Sequence, residues 1–339
     1  MKTIKTTKSF DKLYVQALKS IKEAKNVLIV GHINPDSDAI SSVGALVELM
    51  EGINKKYTAY CQNKVPGAYS FLPHEEKILS NKDFDLKDFD LLIAVDCGSM
   101  SRTALGEEIL DIKNKKDTYF KVIEFDHHPK FDDYADVEIR DSKASSTTEI
   151  LYYFFRVNKI SFNKNIATAI LSGILTDTAN FFYPSTGEQT VKISSEMLSY
   201  GAKLPKIINN VWHNKSLDNI KIWSLALNNL QINKKYSLAF SVLSYDDLVN
   251  ILPKDEPFDS DIFGEVASFL SNMADVKAVM LIREQDRGII KGSFRASAYS
   301  DEVDLSKLAR LLGGGGHQKA AGFMIEGNLI KNNNHWFIR

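Results

Sequence analysis

Residues 27–38 read VLIVGHINPDSD, an apolar run of four residues followed at once by turn-forming and acidic residues. A short apolar run bounded in this way predicts a strand that is buried on both faces. The arrangement returns at LLIAVD (91–96) and KVIEFDHH (121–128), and YTAYC (57–61) is a further candidate strand. Helical spacing of apolar residues separates the strands. Together they predict an N-terminal α/β domain with a doubly wound, mostly parallel sheet and helices on both faces.

The rest of the chain follows from the same patterns. Helical spacing extends from Phe10 to Ala24 and from Ala39 to Met50, and two more helices are predicted between Ile150 and Thr176. The C-terminal part predicts strands at 236–243, 278–284 and 289–297 (the last two as a hairpin), helices at 262–273 and 305–312, and a last strand at 321–325. We therefore predict an N-terminal domain over 1–187, a helical connector over 188–232, and a smaller α+β domain over 233–339.

Composition narrows the class of protein. The chain has 339 residues, with 42 Lys and Arg against 43 Asp and Glu, and a formal net charge of -1. This balance argues against a protein that grips long nucleic acid by a basic face. No apolar stretch approaches the ~18 residues of a membrane span, and the N-terminus lacks the apolar core of a signal peptide. With only two cysteines, Cys61 and Cys97, we expect a cytoplasmic protein without a disulfide framework.

Residues that can bind a metal follow each strong strand. They are His32, Asp36 and Asp38 after the first, Asp96 after the second, Asp126, His127 and His128 after the third, and Asp177 near the end of a later helix. In parallel sheets of this kind, ligands bind beyond the carboxyl ends of the strands. We therefore expect these side chains to lie close together at that end of the sheet. Clustered carboxylates repel one another unless cations lie between them. Asp and His without Cys suit Mn²⁺, and the set suffices for two ions ~3.5–4 Å apart that share one carboxylate.

Each of these residues also has a structural explanation when it is taken alone. Residues 32–38 could form a turn with Asx hydrogen bonds, and Asp96 could cap a helix. Residues 126–128 could be a solvated loop, and Asp177 could simply end its helix. The convergence of three separate strand ends favours the metal site.

These segments resemble the motifs of the DHH phosphoesterase family. The matching stretches are GHINPDSDAISS (31–42), AVDCGS (94–99), EFDHHP (124–129) and GILTDTANF (173–181), and SFRAS (293–297) with LLGGGGHQKAAGF (311–323) resembles the DHH-associated C-terminal domain. The resemblance implies one Mn²⁺ held by His32, Asp36 and Asp96 and a second held by Asp38, Asp96, His127 and Asp177, with Mg²⁺ or Co²⁺ as substitutes. It also implies that His128 contacts the scissile phosphate or the attacking water. Asp126 would then contact the metal-binding side chains without binding the metal itself.

The glycine run of the C-terminal domain is a candidate binding loop. Gly313, Gly314, Gly315 and Gly316 permit positive φ and let backbone N–H groups approach an anion or a base. The alternative is a flexible linker, but an apolar strand follows directly. His317, Arg295 and Ser297 are the expected substrate contacts, and Arg295 could instead be an exposed strand charge. Arg295 and Ala296 stand where relatives often have Arg-Ser, and Ser297 follows one position later, a departure that would alter substrate preference more than catalysis.

The family resemblance predicts an enzyme, a Mn²⁺-dependent hydrolase of phosphoric ester bonds. It implies hydrolysis of short oligoribonucleotides to mononucleotides, 3′-phosphatase action on adenosine 3′,5′-bisphosphate (pAp), and a homodimer. An enzyme acting on cyclic di-AMP or its linear product pApA stays open as an alternative, as does a catalytically silent nucleotide-binding regulator. A long-strand DNA nuclease is disfavoured because residues 216–339 hold 14 basic and 15 acidic residues.

Overall fold

The computed structural model describes residues 8–113, 120–213, 215–251, 260–297, 300, 303–316, 318–332 and 335–339. The chain divides into two compact units, residues 1–214 and residues 215–339. Within the described residues, no helix combines the length and the apolar composition that crossing a bilayer requires.

The first unit is built on one parallel sheet. In chain order its elements are α1 (Lys8–Glu23), β1 (Val27–Val30), α2 (Ser37–Gly52), β2 (Tyr57–Tyr60), β3 (Ile78–Leu79), β4 (Leu91–Val95), α3 (Gly106–Lys113), β5 (Lys121–Asp126), β6 (Val137–Arg140), α4 (Thr147–Val157), α5 (Lys164–Asp177), α6 (Glu188–Ser199) and α7 (Leu204–Val211). The strand order is β3-β2-β1-β4-β5-β6, and every pairing is parallel. This is a doubly wound order, and it reverses direction between β1 and β4.

The two faces of this sheet carry separate apolar cores. Val27 and Ile29 of β1 join a core with α1, α2, α4 and α5, whereas Leu28 and Val30 join another core that includes α3. All four β1 side chains are fully buried, which explains why the strand is an uninterrupted apolar run. The α/β prediction with helices on both faces is therefore confirmed.

The second unit is a mixed sheet with helices. Its elements are α8 (Leu217–Asn228), β7 (Gln231–Asn233), β8 (Leu238–Leu243), α9 (Tyr245–Val249), α10 (Ser260–Leu270), β9 (Ala278–Asp286), β10 (Ile289–Ala296), α11 (Leu305–Leu311), β11 (Gly315–Gly316), β12 (Ala320–Glu326), β13 (Leu329–Asn332) and β14 (His335–Ile338). The main sheet has the order β11-β12-β10-β9-β8-β7, and β13 pairs with β14 separately. The predicted hairpin is present, because β9 and β10 pair antiparallel.

One element prediction is wrong. The strand predicted at 321–325 forms as β12, but it is not the last strand, since β13 and β14 follow it. The polar, Asn-rich composition of this stretch gave no sign of two short strands. They contain apolar residues such as Ile330 and Phe337, which are paired with each other. The residues predicted as a connector are divided, with α6 and α7 in the first unit and α8 in the second. The domain bounds at 187 and 232 stay predictions.

A glycine permits the close meeting of three helices in the first unit. A Cβ built on Gly173 of α5 would lie 2.2 Å from Asp38 Oδ1 of α2 and 2.3 Å from Thr148 Oγ1 of α4. Both distances are far below van der Waals contact. Since Asp38 and Thr148 are fully buried, neither side chain can move aside into solvent.

We therefore expect Gly173→Ala to lower the free energy of unfolding by about 1–3 kcal/mol, because the new methyl group overpacks a dense site. Urea unfolding followed by circular dichroism measures this. Gly52→Ala is the matched control, since nothing lies within 4 Å of a Cβ at the end of α2. Equal stability of the two variants would contradict the close packing at Gly173.

Candidate metal centre

The loop after β1 brings His32 and Asp36 together. Asp36 caps α2, where its Oδ1 accepts hydrogen bonds from the backbone N–H groups of Asp38 and Ala39, each at 3.1 Å. The other oxygen, Oδ2, lies 3.6 Å from His32 Nε2. The capping explanation and the ligand prediction are thus compatible, since each uses a different oxygen of the same carboxylate.

Asp96 lies at the centre of the site. It follows β4 directly and adopts a left-handed backbone conformation (φ 59°), which aspartate tolerates better than most residues. Its Oδ2 is 3.8 Å from His32 Nε2, and its Oδ1 is 3.6 Å from His127 Nε2 and 3.4 Å from His128 Nδ1. It is almost completely buried and does not cap a helix, so the structural explanation for Asp96 does not apply.

Asp126 holds His128 in place. It is the last residue of β5 and is fully buried, and its Oδ1 accepts hydrogen bonds from the backbone N–H and the Nδ1 of His128, both at 2.8 Å. Burial opposes its charge, but the hydrogen bonds from His128 and the charge of Arg140 lower the pKa of Asp126. A carboxylate held ionised in this way fixes both the orientation and the tautomer of an imidazole.

Asp38 is buried against the start of α4. It accepts hydrogen bonds from the backbone N–H groups of Thr147 (2.6 Å) and Thr148 (3.1 Å) and from the Thr148 hydroxyl (2.8 Å). Thr147 also donates its hydroxyl to Asp96 Oδ1 at 2.8 Å. Burial and the charge of Asp177 still raise the pKa of Asp38, because the donors do not cancel the repulsion between nearby carboxylates.

Asp177 closes the site from the end of α5. Its Oδ2 is 3.1 Å from His127 Nε2. Burial disfavours the charged form of His127, but the hydrogen bond and the charge of Asp177 outweigh burial and raise the pKa of His127 to about 9. Ala179, Asn180 and Phe181 follow with positive φ angles of 46°, 58° and 70°. Three successive left-handed residues without glycine are strained, and such strain tends to occur beside functional sites.

The predicted ligands form three groups whose ligand atoms lie within 4.8 Å of one another. The groups are Asp96 with His127 and His128, His32 with Asp36 and Asp96, and Asp38 with His127 and Asp177. Asp96 belongs to two groups, and His127 links the first to the third. The structure therefore brings together all eight residues singled out in the N-terminal domain, since Asp126 contacts His128 directly.

His32 provides a test of whether a cation fits these groups. Its Nδ1 is 2.7 Å from the carbonyl oxygen of Ile33, which can only accept, so Nδ1 carries the hydrogen. In the neutral ring, Nε2 then presents a lone pair. Nε2 is buried and has no hydrogen-bond partner among the described residues, yet it faces Asp36 and Asp96. A buried lone pair facing carboxylates fits a divalent cation between them. Burial and the neighbouring aspartates also raise the pKa of Asp96, and a cation would relieve that repulsion.

Three residues that contact the aspartates of the site were not among those predicted from the sequence. Thr147 and Thr148 supply donors to the buried carboxylates, and Arg140 of β6 binds Glu124 and lies 3.5 Å from Asp126. The run SSTT (145–148) before an apolar helix is an N-cap signature that could have indicated the first two. No local signal indicates Arg140, because its role depends on how β6 pairs with β5.

The predicted contacts of the second unit lie around β12. Arg295 pairs with Ala320 in the sheet, and its guanidinium donates to Ser268 Oγ (3.4 Å) and to the Phe294 carbonyl (3.0 Å). Gly315 and Gly316 form β11 against β12, while Gly313 and Gly314 connect it to α11. The run is therefore part of the sheet rather than a linker. Ser297 is buried and its hydroxyl donates to the Met273 carbonyl, and His317 lies outside the described residues.

Comparison with known proteins agrees with this geometry. Residues 26–174 match the model of the DHH family, N-terminal domain, and residues 239–335 match the model of the DHHA1 domain. The chain is 24% identical over 314 residues to the bifunctional oligoribonuclease and PAP phosphatase NrnA of Bacillus subtilis, covering 91% of this chain and 92% of that protein. It is 28% identical over 312 residues to the probable bifunctional oligoribonuclease and PAP phosphatase NrnA of Streptococcus mutans, covering 90% and 91%.

A solved structure shows the same fold. The crystal structure of an exopolyphosphatase-related protein from Bacteroides fragilis aligns with a TM-score of 0.82 at 22% sequence identity. The alignment covers 94% of this chain and 92% of that chain.

The Thr148 hydroxyl donates a hydrogen bond to the buried Asp38 carboxylate, and we expect this bond to stabilise the fold. Thr148→Val keeps the shape but removes one donor from a buried carboxylate, so we expect it to lower the free energy of unfolding by about 1–3 kcal/mol. Thr148→Ser keeps the hydroxyl and serves as the control. Thermal or urea unfolding compares the two. Similar losses in both variants would show that the methyl group, rather than the hydrogen bond, stabilises the site.

Proposed function

We propose that this chain, a member of the DHH family that carries a DHH domain followed by a DHHA1 domain, is a metal-dependent phosphoesterase. In this proposal it hydrolyses short oligoribonucleotides to mononucleotides and pAp to AMP. Its relatives from Bacillus subtilis and Streptococcus mutans are named as a bifunctional and a probable bifunctional oligoribonuclease and PAP phosphatase, which supports the proposal. The observation that carries the proposal is Asp96, a buried carboxylate shared between two groups of potential ligands. A shared carboxylate is what a two-metal phosphoesterase requires.

The donor set favours Mn²⁺ at both positions. One ion would be held by His32, Asp36 and Asp96, and the other by Asp38, Asp96, His127 and Asp177. Carboxylate and imidazole ligands suit Mn²⁺, whereas thiolates select Zn²⁺. Cys97 follows Asp96 in sequence, but its sulfur faces the carbonyl oxygens of Val30 and Val95 instead.

The chemistry divides between the ions and the side chains around them. When bound, two divalent ions acidify a water molecule and stabilise charge on the phosphoryl oxygens. The Nδ1–H of His128 donates a hydrogen bond to Asp126. The other ring nitrogen, Nε2, is therefore the atom that can contact the scissile phosphate or the attacking water. Thr147 and Thr148 keep Asp96 and Asp38 oriented with fixed hydrogen bonds.

A further set of proposed substrate contacts lies in the second unit. Arg295, Ser297, His317 and the glycines at 313–316 are the proposed residues. A guanidinium binds a terminal phosphate in a bidentate manner, and a glycine-rich segment lets backbone groups approach a nucleotide closely. Contacts of this kind suit short substrates bound by one end.

A product assay with Mn²⁺ tests the proposed function. The substrates are 5′-labelled RNA dimers to pentamers, pAp, cyclic di-AMP and pyrophosphate. We expect mononucleotides from the short RNAs and AMP from pAp. Preferred turnover of cyclic di-AMP would instead identify a cyclic dinucleotide phosphodiesterase. Dominant pyrophosphate hydrolysis, or nucleotide binding without any turnover, would contradict the proposal.

Asp96→Asn tests the shared ligand. The substitution keeps the shape of the side chain but removes the charge between the two ions, so we expect activity to fall by more than about 100-fold and Mn²⁺ content to drop. Activity on RNA dimers and metal analysis after dialysis measure both effects. The control is Asp85→Asn, an exposed carboxylate of the same unit that caps a short turn. An Asp96→Asn variant with more than a tenth of the wild-type rate would exclude the bridging role.

Arg295→Ala tests the substrate contact in the second unit. We expect kcat/KM to fall roughly tenfold on 5′-phosphorylated dinucleotides, since a charged hydrogen bond to phosphate is lost, while Mn²⁺ content stays unchanged. Arg287→Ala is the matched control, because Arg287 is an exposed arginine of the same unit. A loss that is equal with and without a 5′-phosphate would argue against recognition of the terminal phosphate.

A further inference from the structure

A site rich in carboxylates needs a positive group to receive an anionic phosphate. Asp36, Asp38, Asp96, Asp126 and Asp177 all lie within it. Two divalent cations would supply four positive charges against these five carboxylates, so a further positive side chain would favour the approach of a phosphodiester. The chain has only eight arginines among its 42 basic residues. Two of them lie near the site, since Arg102 follows β4 and Arg140 is the last residue of β6.

Arg140 is not available for a substrate. It forms an ion pair with Glu124, lies 3.5 Å from Asp126, and donates to the carbonyl oxygens of His128 (2.8 Å) and Pro129 (3.2 Å). Its side chain is only 6% exposed. The charge of Arg140 is therefore used to hold the loop after β5 in place.

Arg102 is placed differently. It lies in the short 3₁₀ helix Met100–Thr103 after β4, where its backbone N–H donates to the Ser99 carbonyl at 3.2 Å. Its carbonyl oxygen accepts a hydrogen bond from the Ile33 N–H at 2.8 Å. This bond joins the loop after β4 to the loop that carries His32. The backbone of Arg102 is thus fixed relative to two parts of the metal centre.

The guanidinium of Arg102 and the ring of His128 both lie near Gly98. A Cβ built on Gly98 would be 3.2 Å from Arg102 Nη1 and 3.7 Å from His128 Cγ, so both groups flank the same point. Gly98 has φ +70° and no side chain, which leaves that space open. No carboxylate in the described part of the chain forms an ion pair with Arg102, and the residue is partly exposed.

We propose that Arg102 binds the phosphoryl group under attack, from the side of the site where His128 lies. This inference rests on the proposed phosphoesterase function and adds a substrate-contacting residue that lies beyond the metal ligands. A guanidinium can give two parallel hydrogen bonds to phosphate oxygens, which a lysine cannot reproduce. The backbone of Arg102 is held at both its N–H and its carbonyl oxygen, so the side chain starts from a fixed position beside the site.

The test compares Arg102→Gln and Arg102→Lys with wild type on two substrates. Bis(4-nitrophenyl) phosphate has only a scissile phosphodiester, whereas pApA also has a terminal phosphate. We expect Arg102→Gln to lower kcat/KM about 100-fold on both, with Arg102→Lys in between. Mn²⁺ content and melting temperature should stay at wild-type values. Arg156→Gln is the matched control, because Arg156 of α4 pairs with Glu196 of α6 and is substantially exposed. This variant should stay within about twofold of wild type.

A binding measurement separates this inference from the proposed function. We expect the affinity for AMP in the presence of Mn²⁺, measured by calorimetry, to fall about tenfold in Arg102→Gln. If wild type hydrolyses neither substrate, the proposed function fails, and AMP binding alone decides the role of Arg102. The inference is overturned by unchanged kinetics and binding in Arg102→Gln. It is also overturned by a loss confined to pApA, or by a loss that follows a lower melting temperature or lower metal content.

Discussion

Several carboxylates meet at the carboxyl ends of the central strands of one sheet, and the groups around them offset their mutual repulsion. Each aspartate is stabilised in its own way. Asp126 is paired with His128 and lies near Arg140, and Asp38 faces the N–H groups at the start of α4, where the helix dipole also favours negative charge. Among the described residues, Asp96 accepts a side-chain hydrogen bond from the Thr147 hydroxyl and lies near His32 and His127, while the neighbouring aspartates repel its charge. The protein's own groups do not fully offset the negative charge around Asp96, and this is where cations would bind.

The topology explains why the site forms there. In the order β3-β2-β1-β4-β5-β6, β1 and β4 are neighbours whose following connections leave in opposite directions. His32 and Asp96 follow these two strands at the point where the order reverses, and His32 Nε2 lies 3.8 Å from Asp96 Oδ2. β5 adds the Asp126–His128 segment next to them, while α4 and α5 deliver the threonines and Asp177 from one face of the sheet.

Much of the first unit could be predicted from sequence because its signals are local. β1, β4 and β5 are apolar runs that end in polar residues, and the parallel arrangement then requires those residues to meet. This reasoning accounts for seven of the eight residues predicted for the metal centre, whereas Asp177 lies at the end of α5. What could not be predicted depends on contacts between distant segments. The bonds from Thr148 to Asp38 and from Arg140 to the loop after β5 require the helices and β6 to be positioned first. In the second unit, β13 and β14 were missed because short strands around a polar stretch give almost no periodic signal.

Anomalous diffraction from crystals grown with Mn²⁺ is the most direct measurement of whether Asp96 bridges two ions. We expect two anomalous peaks on either side of the Asp96 carboxylate, ~3.5–4 Å apart, one near His32 and one near His127. A single peak, or two peaks that do not share Asp96, would contradict the two-metal site from which the proposed hydrolysis of phosphoric esters follows.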